Sequence, residues 1–176
     1  MSSPRSHLIQ GAVWSTALYP VIGDNAVVVG VSSILIDVDH VLQYVWDTGS
    51  LNPQGFFPYF EMLKKRSHYD YFSICIFHTI EFYGLLAIIG YFIPVFWYVL
   101  AGCLLHHLSD SITLYRNGIL FCRAFSFVEW AVRRKNGKYA QSLFQLIQNA
   151  GEKAPLSDDD RKWLTCWGFL ENQTAD

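Results

Sequence analysis

The apolar positions of the chain are grouped in helix-length runs, with no alternation of the kind that marks an exposed strand. The pattern predicts an all-α fold, a helical bundle of about six to eight helices forming a single domain over residues 1–176. The predicted helices are His7 to Tyr19, Ala26 to Trp46, Tyr59 to Lys65, Ser67 or Asp70 to Phe92, Pro94 to Leu114, Ile119 to Arg134, Tyr139 to Asn149 and Ser157 to Leu170.

Prolines and glycines mark the expected helix ends. Pro20 is predicted to end the first helix, and the glycine- and proline-rich stretch 48–58 is predicted to be a loop. Pro94 interrupts a long uncharged segment. Because proline fits the first turn of a helix, we expect Pro94 to open a new helix and so create a central antiparallel hairpin.

The uncharged segment 82–105 has about 24 residues, enough by count to cross a bilayer. A hairpin at Pro94 would leave each arm too short for a regular span. It would also put the basic residues 64–66 on the same face as Arg116 and Arg123, as the positive-inside tendency prefers. We therefore expect membrane association through a hairpin that enters one leaflet. The alternative is the buried core hairpin of a soluble protein.

Composition narrows the class of protein. The hydrophobic fraction of 52% and mean hydropathy of +0.20 are high for a soluble chain and low for a many-pass transporter. The net charge of −2 gives no basic bias, so nucleic acid is not expected as a partner. The four cysteines form no CxxC pair, which argues against a disulfide framework and a zinc ribbon. No signal peptide is evident at the N-terminus.

Acidic and imidazole side chains recur within three of the most apolar segments. A buried carboxylate is costly unless a cation, a metal ion or water lies beside it. The clusters are Asp37, Asp39 and His40 in ILIDVDHVL, His78 and Glu81 in IFHTIEF, and His106, His107 and Asp110 in LLHHLSDSI. We interpret the three clusters as one site.

The hairpin predicts that two of these clusters meet. Residues equidistant from a turn near position 93 lie at the same height, so His78 faces about position 108 and Glu81 about position 105. His106 and Asp110 are four apart and share a helix face. Asp37 and His40 also share a face, but Asp39 points about 200° from Asp37 on an ideal helix. Only one of the two aspartates can then share a site with His40, unless the helix is distorted or the other aspartate contacts a metal ligand and not the metal itself.

Cys75 and Cys103 stand three residues before His78 and His106, a spacing that suggests a Cys2His2 zinc site. The hairpin separates the two cysteines by more than a turn, so we interpret both as core residues. His107 faces away from His106 and is also interpreted as structural.

Imidazoles and carboxylates from three helices suit one or two divalent ions, zinc first, with manganese and iron as alternatives. Such ions would activate water against a phosphoester-type bond. Glu81 could act as ligand or general base, with Asp37 as the other candidate catalytic carboxylate. Arg116 could receive an anionic substrate group, or be an exposed arginine at a helix end.

The segment LIDVDH resembles the L-P-D-x-D-H motif of the YdjM-like family of bacterial membrane-bound metal-dependent hydrolases. FHTIEF resembles the T-H-S segment of that family, and GCLLHHLSDSIT followed by Gly118 resembles its G-x-x-x-H-x-x-x-D-x-x-T…G motif. His7 stands where such proteins carry an early histidine. The resemblance covers about residues 5–120. Ile36 replaces the usual proline, and the His-Arg that precedes the second motif is absent.

The resemblance implies an all-α enzyme, distantly similar to zinc-dependent phospholipases C and single-strand nucleases. It implies a bacterial inner-membrane location with the site on the cytoplasmic side and a small-molecule or lipid-like phosphoester substrate. Beyond about residue 120 no motif matches the family, and the sequence pattern predicts a helical tail over about residues 120–176. The implied metal ligands are His7, Asp39, His78, His106 and Asp110, with Asp37 and His40 close by.

The expected function is thus a membrane-associated, metal-dependent hydrolase. A non-catalytic membrane or interaction protein, held by a structural metal or by salt bridges, is the alternative. A di-iron carboxylate oxidoreductase ranks third, because that class needs further glutamates beside the site.

Overall fold

The computed structural model describes residues 4–48, 51–60, 73–118 and 120–135. These residues confirm the all-α prediction. The predicted helices over 139–149 and 157–170, His68, and most of the helix predicted from Tyr59 lie outside the described residues. Six helices have both ends in these ranges: α1 Pro4–Ile22, α2 Asn25–Leu35, α3 Val38–Thr48, α4 Ile80–Phe92, α5 Val95–Arg116 and α6 Phe127–Lys135.

The first helix does not end at Pro20, as the sequence predicted, but runs to Ile22. Pro20 lies in the last turn, so its missing N–H removes only one hydrogen bond near the helix end. Gly23 ends the helix instead, in the left-handed conformation with φ 58°.

The single helix predicted over Ala26 to Trp46 is divided in two at Ile36 and Asp37. Backbone bonds there span three residues instead of four: Asp37 donates to the Ile34 carbonyl (3.4 Å) and His40 to that of Asp37 (3.0 Å). The tighter turn changes the direction of every side chain beyond it relative to α2. It also separates Asp37 from the regular helix that carries Asp39 and His40.

The hairpin broken at Pro94 is present. α4 ends before Ile93, and α5 begins at Val95 and returns along α4. The Tyr83 ring lies 5.7 Å from the His107 ring, and Leu86 shares a buried apolar cluster with Cys103. α4 begins later than predicted, at Ile80, because the Thr79 hydroxyl accepts from the Phe82 N–H and caps the helix there.

A pair of two-residue strands joins distant parts of the chain. Ser73–Ile74 pairs in parallel with Arg123–Ala124. The helix predicted from Ile119 is therefore wrong in its first part, which contains a 3-10 turn, Leu120–Cys122, and the second strand before α6 begins at Phe127. Strands this short carry no alternation that a sequence pattern could reveal.

Close backbone approach holds α5 against α2. A Cβ placed on Gly102 would collide with Ser32 Oγ and with the Val29 carbonyl, and would lie 3.1 Å from the Ser33 nitrogen. This contact fixes the height of α5 on α2. His106, about one turn later, consequently reaches the Ser33 carbonyl.

We expect Gly102→Val to destabilise the protein by about 1–3 kcal/mol or more, because α2 and α5 must separate to admit the side chain. Thermal unfolding followed by circular dichroism measures the effect. Gly84→Ala is the matched control, since nothing lies within 4 Å of a Cβ there and alanine favours a helix interior. Equal melting temperatures for the two variants would contradict the close approach.

The segment Asn25–Trp46 is long and apolar enough to cross a membrane by length and composition. A buried core helix can meet the same criterion, and the turn at Ile36 and Asp37 interrupts this segment. The sequence had instead pointed to residues 82–105, which the structure divides into two arms. Large apolar side chains are exposed along several helices, among them Leu8, Ile9, Val27, Leu35, Ile88 and Phe92.

Candidate metal centre

Six of the predicted site residues lie together where α1, α3, α5 and the turns before α3 and α4 meet. Three groups of side chains, each with ligand atoms within 4.8 Å of one another, could hold a metal ion, and one of them is Asp39, Cys75 and His78. The other two overlap at Asp110: the first group is Asp37, His40, His78 and Asp110, and the second is His7, His106 and Asp110. We call these six residues the Nε2 cluster, because the Nε2 atoms of all four histidines approach its carboxylates.

Asp37 lies at the centre of the cluster. Its Oδ1 is 3.2 Å from His106 Nε2, 3.3 Å from His40 Nε2 and 3.9 Å from His78 Nε2. Its Oδ2 is 3.6 Å from His7 Nε2. The Asp37 side chain is also 23% exposed, while those of the four histidines are 8% exposed or less. Asp37 therefore borders both the buried imidazoles and solvent.

The Nδ1 atoms of two of these histidines, on the side of the ring away from the cluster, contact oxygen acceptors. His78 Nδ1 lies 2.9 Å from Asp39 Oδ2, and His106 Nδ1 lies 2.6 Å from the Ser33 carbonyl oxygen. An acceptor at Nδ1 favours the tautomer with its proton on Nδ1, which leaves the Nε2 lone pair free to bind a metal. Asp39 thus orients His78, and the two aspartates act on opposite sides of the imidazoles.

Asp110 belongs to both groups. Its Oδ1 is 3.8 Å from His7 Nε2, and its Oδ2 is 3.9 Å from His106 Nε2. Because Asp110 is a member of both groups, its carboxylate can contribute to two ion positions. Asp110 is also 1% exposed, so its charge is kept almost entirely from water.

Arg123 is the site residue that the sequence interpretation missed. It is 4% exposed, and its Nη1 lies 3.5 Å from Asp110 Oδ2. The strand pairing with residues 73–74 brings it there from beyond the predicted core of residues 5–120. The available signal was a single arginine within the apolar run GILFCRAF. An arginine in such a run is either at the surface or paired when buried.

Burial and neighbouring charges set the protonation of the site. Burial, together with the charge of Arg123, lowers the pKa of His78 to about 4, so its imidazole is neutral at pH 7. Burial alone would raise the pKa of Asp110, but the charges of Arg123 and His106 lower it below its usual value. A neutral imidazole and an ionised carboxylate are the forms that bind a metal.

Several ligand atoms of the cluster are buried without a hydrogen-bond partner. They include His78 Nε2, His106 Nε2 and Asp37 Oδ1. Buried polar atoms without partners cost free energy, and here they point into one shared volume. Imidazole nitrogens and carboxylate oxygens are also the donor set that zinc prefers. The residues present therefore fit a divalent cation.

Glu81 lies apart from the cluster, although the hairpin was expected to bring it there. Its Oε1 accepts hydrogen bonds from Ser126 Oγ (2.7 Å) and from the Phe127 N–H (3.0 Å). The carboxylate thus holds the beginning of α6 against that of α4, and these bonds, led by that from Ser126, lower its pKa. Arg116 is exposed in the last turn of α5 and belongs to none of the groups of metal-ligand atoms among the described residues.

The two central cysteines lie in different surroundings. Cys103 is in the apolar cluster with Ile36 and Leu86, as a core residue should be. Cys75 is equally buried, but its Sγ lies 3.7 Å from His40 Nδ1. The His107 ring packs between aromatic rings and lies 5.9 Å from that of His78, outside both ligand groups.

Comparison with known proteins places this chain in no family. No family model, curated protein or solved structure matches it. The conclusion that the structure supports is a buried cluster of imidazoles and carboxylates able to hold a metal ion, within an all-α fold.

Proposed function

We propose that this chain is a membrane-associated, metal-dependent hydrolase that acts on a phosphoester-type bond. The convergence of the Nε2 cluster carries the proposal: side chains from distant parts of the sequence direct their ligand atoms at one volume. Three of these atoms, His78 Nε2, His106 Nε2 and Asp37 Oδ1, are buried without a hydrogen-bond partner. The motif resemblance to the YdjM-like hydrolases, stated above from the sequence alone, supports the same function.

The residues that would hold the metal are the four histidines and Asp110 of the Nε2 cluster, with Asp39 and the Ser33 carbonyl orienting two of the imidazoles. Zinc, or manganese or iron in its place, would supply Lewis-acid polarisation of the substrate and a lowered pKa for water. Because the two ligand groups share Asp110, the Nε2 cluster could hold either one ion or two.

Two residues are suited to act on the substrate directly. Asp37 combines exposure to solvent with contact to three imidazoles, so we assign it the role of general base. Arg123 provides a buried positive charge beside the metal ligands, and its planar guanidinium suits a phosphoryl oxygen. We assign Arg123 the anion-binding role that the sequence suggested for Arg116.

The proposed location is the bacterial inner membrane, with the site on the cytoplasmic side and a lipid-like or small phosphoester as substrate. Exposed apolar side chains on α1, α2 and α4 support contact with lipid. The segment Asn25–Trp46, although divided by the turn at Ile36 and Asp37, is long and apolar enough by composition to enter the bilayer.

A structural metal site without catalysis is the second candidate. Its support is the burial of the site: His78 is 1% and His106 0% exposed, which resembles the closed surroundings of structural zinc. The di-iron alternative has less support. The two glutamates among the described residues, Glu81 and Glu129, both bond to backbone at the beginning of α6.

Metal content and turnover together test the proposal. We expect the purified wild type to carry at least one divalent ion and to hydrolyse a generic phosphodiester, and His106→Ala to lose both properties. His107→Gln is the matched control, because it removes an imidazole that is next in sequence to His106 but belongs to no ligand group in the described part of the chain. Stoichiometric metal with no turnover on an ester panel would favour the structural candidate. Unchanged metal in His106→Ala would refute the ligand assignment.

A further inference from the structure

The Nδ1 side of His40 faces a second set of possible ligands, opposite the Nε2 cluster. Cys75 Sγ is 3.7 Å from His40 Nδ1, and Asp39 Oδ1 is 3.8 Å from the same nitrogen. Asp39 Oδ1 is buried with no hydrogen-bond partner, although Asp39 Oδ2 bonds both His78 Nδ1 and the Phe77 N–H. One carboxylate oxygen is thus fully used, and the other lies near an imidazole nitrogen and a thiol.

The distances from His40 Nδ1 to the other two atoms are close to those of tetrahedral coordination. Zinc binds sulfur at about 2.3 Å and nitrogen or oxygen at about 2.0–2.2 Å, so tetrahedral ligands stand about 3.3–3.6 Å apart. The two separations from His40 Nδ1 exceed that range by only a few tenths of an ångström. Cys75 and Asp39 also belong, together with His78, to one group of ligand atoms within 4.8 Å of one another.

We propose that His40 Nδ1, Cys75 Sγ and Asp39 Oδ1 hold a second cation of borderline to soft character, with zinc as the natural occupant. A thiolate selects such ions over magnesium or calcium. Binding replaces the thiol proton of Cys75, which is released to solvent, and ends the weak bond from that thiol to Gln43 Oε1 (3.6 Å). Asp39 Oδ2 takes no part in this binding and continues to accept the hydrogen bond from His78 Nδ1.

This site differs chemically from the Nε2 cluster, which contains only imidazoles and carboxylates. It goes beyond the proposed hydrolysis and does not depend on it, because none of its three ligand atoms lies on the Nε2 side. His40 is the connection between the two. Its Nε2 lies 3.3 Å from Asp37, so an ion at Nδ1 would also orient the ring toward the cluster.

Cobalt(II) substitution tests the site, because thiolate-bound cobalt gives a charge-transfer band in the near ultraviolet that imidazole and carboxylate ligands do not give. We expect the band in the cobalt-loaded full-length wild type and its loss in Cys75→Ser, with about one ion fewer per chain. Cys103→Ser is the matched control, since it alters a buried cysteine in the apolar core and should keep the band. Absence of the band in the wild type, or its persistence in Cys75→Ser, would overturn the proposal.

A second measurement needs no variant. Thiol alkylation of the wild type in mild denaturant, mapped by mass spectrometry, should show that Zn²⁺ protects Cys75 more than Cys103. Equal modification of Cys75 with and without Zn²⁺ would refute the site. Neither result depends on hydrolysis, so the two proposals can fail separately.

Discussion

The variant Asp110→Asn is expected to lose the metal of both groups in the Nε2 cluster, whereas His7→Ala should lose the metal of only one. Asp110 is common to the two groups. His7 belongs to one group alone. If two ions bind, the number lost in Asp110→Asn should be about twice the number lost in His7→Ala, measured by elemental analysis per chain.

The asparagine substitution separates metal loss from unfolding. It preserves the volume of the side chain and one oxygen acceptor, but removes the negative charge that pairs with the positive charge of Arg123. Circular dichroism should therefore show retained helix, and the melting temperature without metal should fall for both variants. A folded Asp110→Asn protein with wild-type metal content would show that the carboxylate is not a shared ligand.

Acidification from pH 6.5 to pH 4 is expected to destabilise the metal-free wild type by about 3 kcal/mol more than His78→Asn. The folded protein holds the pKa of His78 at about 4, below the unfolded value of 6.5. Between these values the unfolded chain binds a proton that the folded chain does not. The contribution of His78 to stability is therefore complete above pH 6.5 and is lost as pH falls to about 4.

The asparagine variant is chosen because its side-chain amide can still donate to Asp39. Burial lowers the pKa of His106, but the neighbouring Asp37 raises it by more, so that the pKa lies above its usual value. The contribution of His106 to stability therefore depends on pH with the opposite sign to that of His78. That contribution is present in both proteins and largely cancels in the comparison. Urea unfolding in the presence of chelator, at several pH values, measures the difference. Parallel stability curves for the two proteins would contradict a neutral, buried His78.

The site shows which side-chain positions can be predicted from sequence separation along the hairpin and which cannot. Counting outward from Pro94 predicted that His78 and His106 approach each other, and their ring centroids lie 5.4 Å apart. The same count put Glu81 at this level, where the structure has it bonded to Ser126 and Phe127. Height along a hairpin follows from sequence separation, but the direction of a side chain depends on where the helix begins. α4 begins at Ile80, so Glu81 lies in its first turn.

The two aspartates of the first motif show the same limit. On an unbroken helix Asp37 and Asp39 point in nearly opposite directions, which left open which of them joins the site. The turn at Ile36 and Asp37 places Asp37 among the Nε2 atoms and Asp39 behind the His78 ring. No local residue preference dictates that turn. The turn brings Asp37 beside the His106 imidazole and Asp39 beside that of His78. These favourable contacts join residues that are far apart in the sequence, so a local sequence pattern cannot predict them.

The sequence by itself determined the all-α class, the hairpin at Pro94 and the residue types of the candidate centre, because helical periodicity, proline geometry and the cost of burying charge act locally. Only the tertiary structure decided which atoms converge. The break before α3, the approach of α5 to α2 at Gly102 and the strand pair that delivers Arg123 depend on contacts between distant residues. Their free energy is gained only when the whole core is assembled.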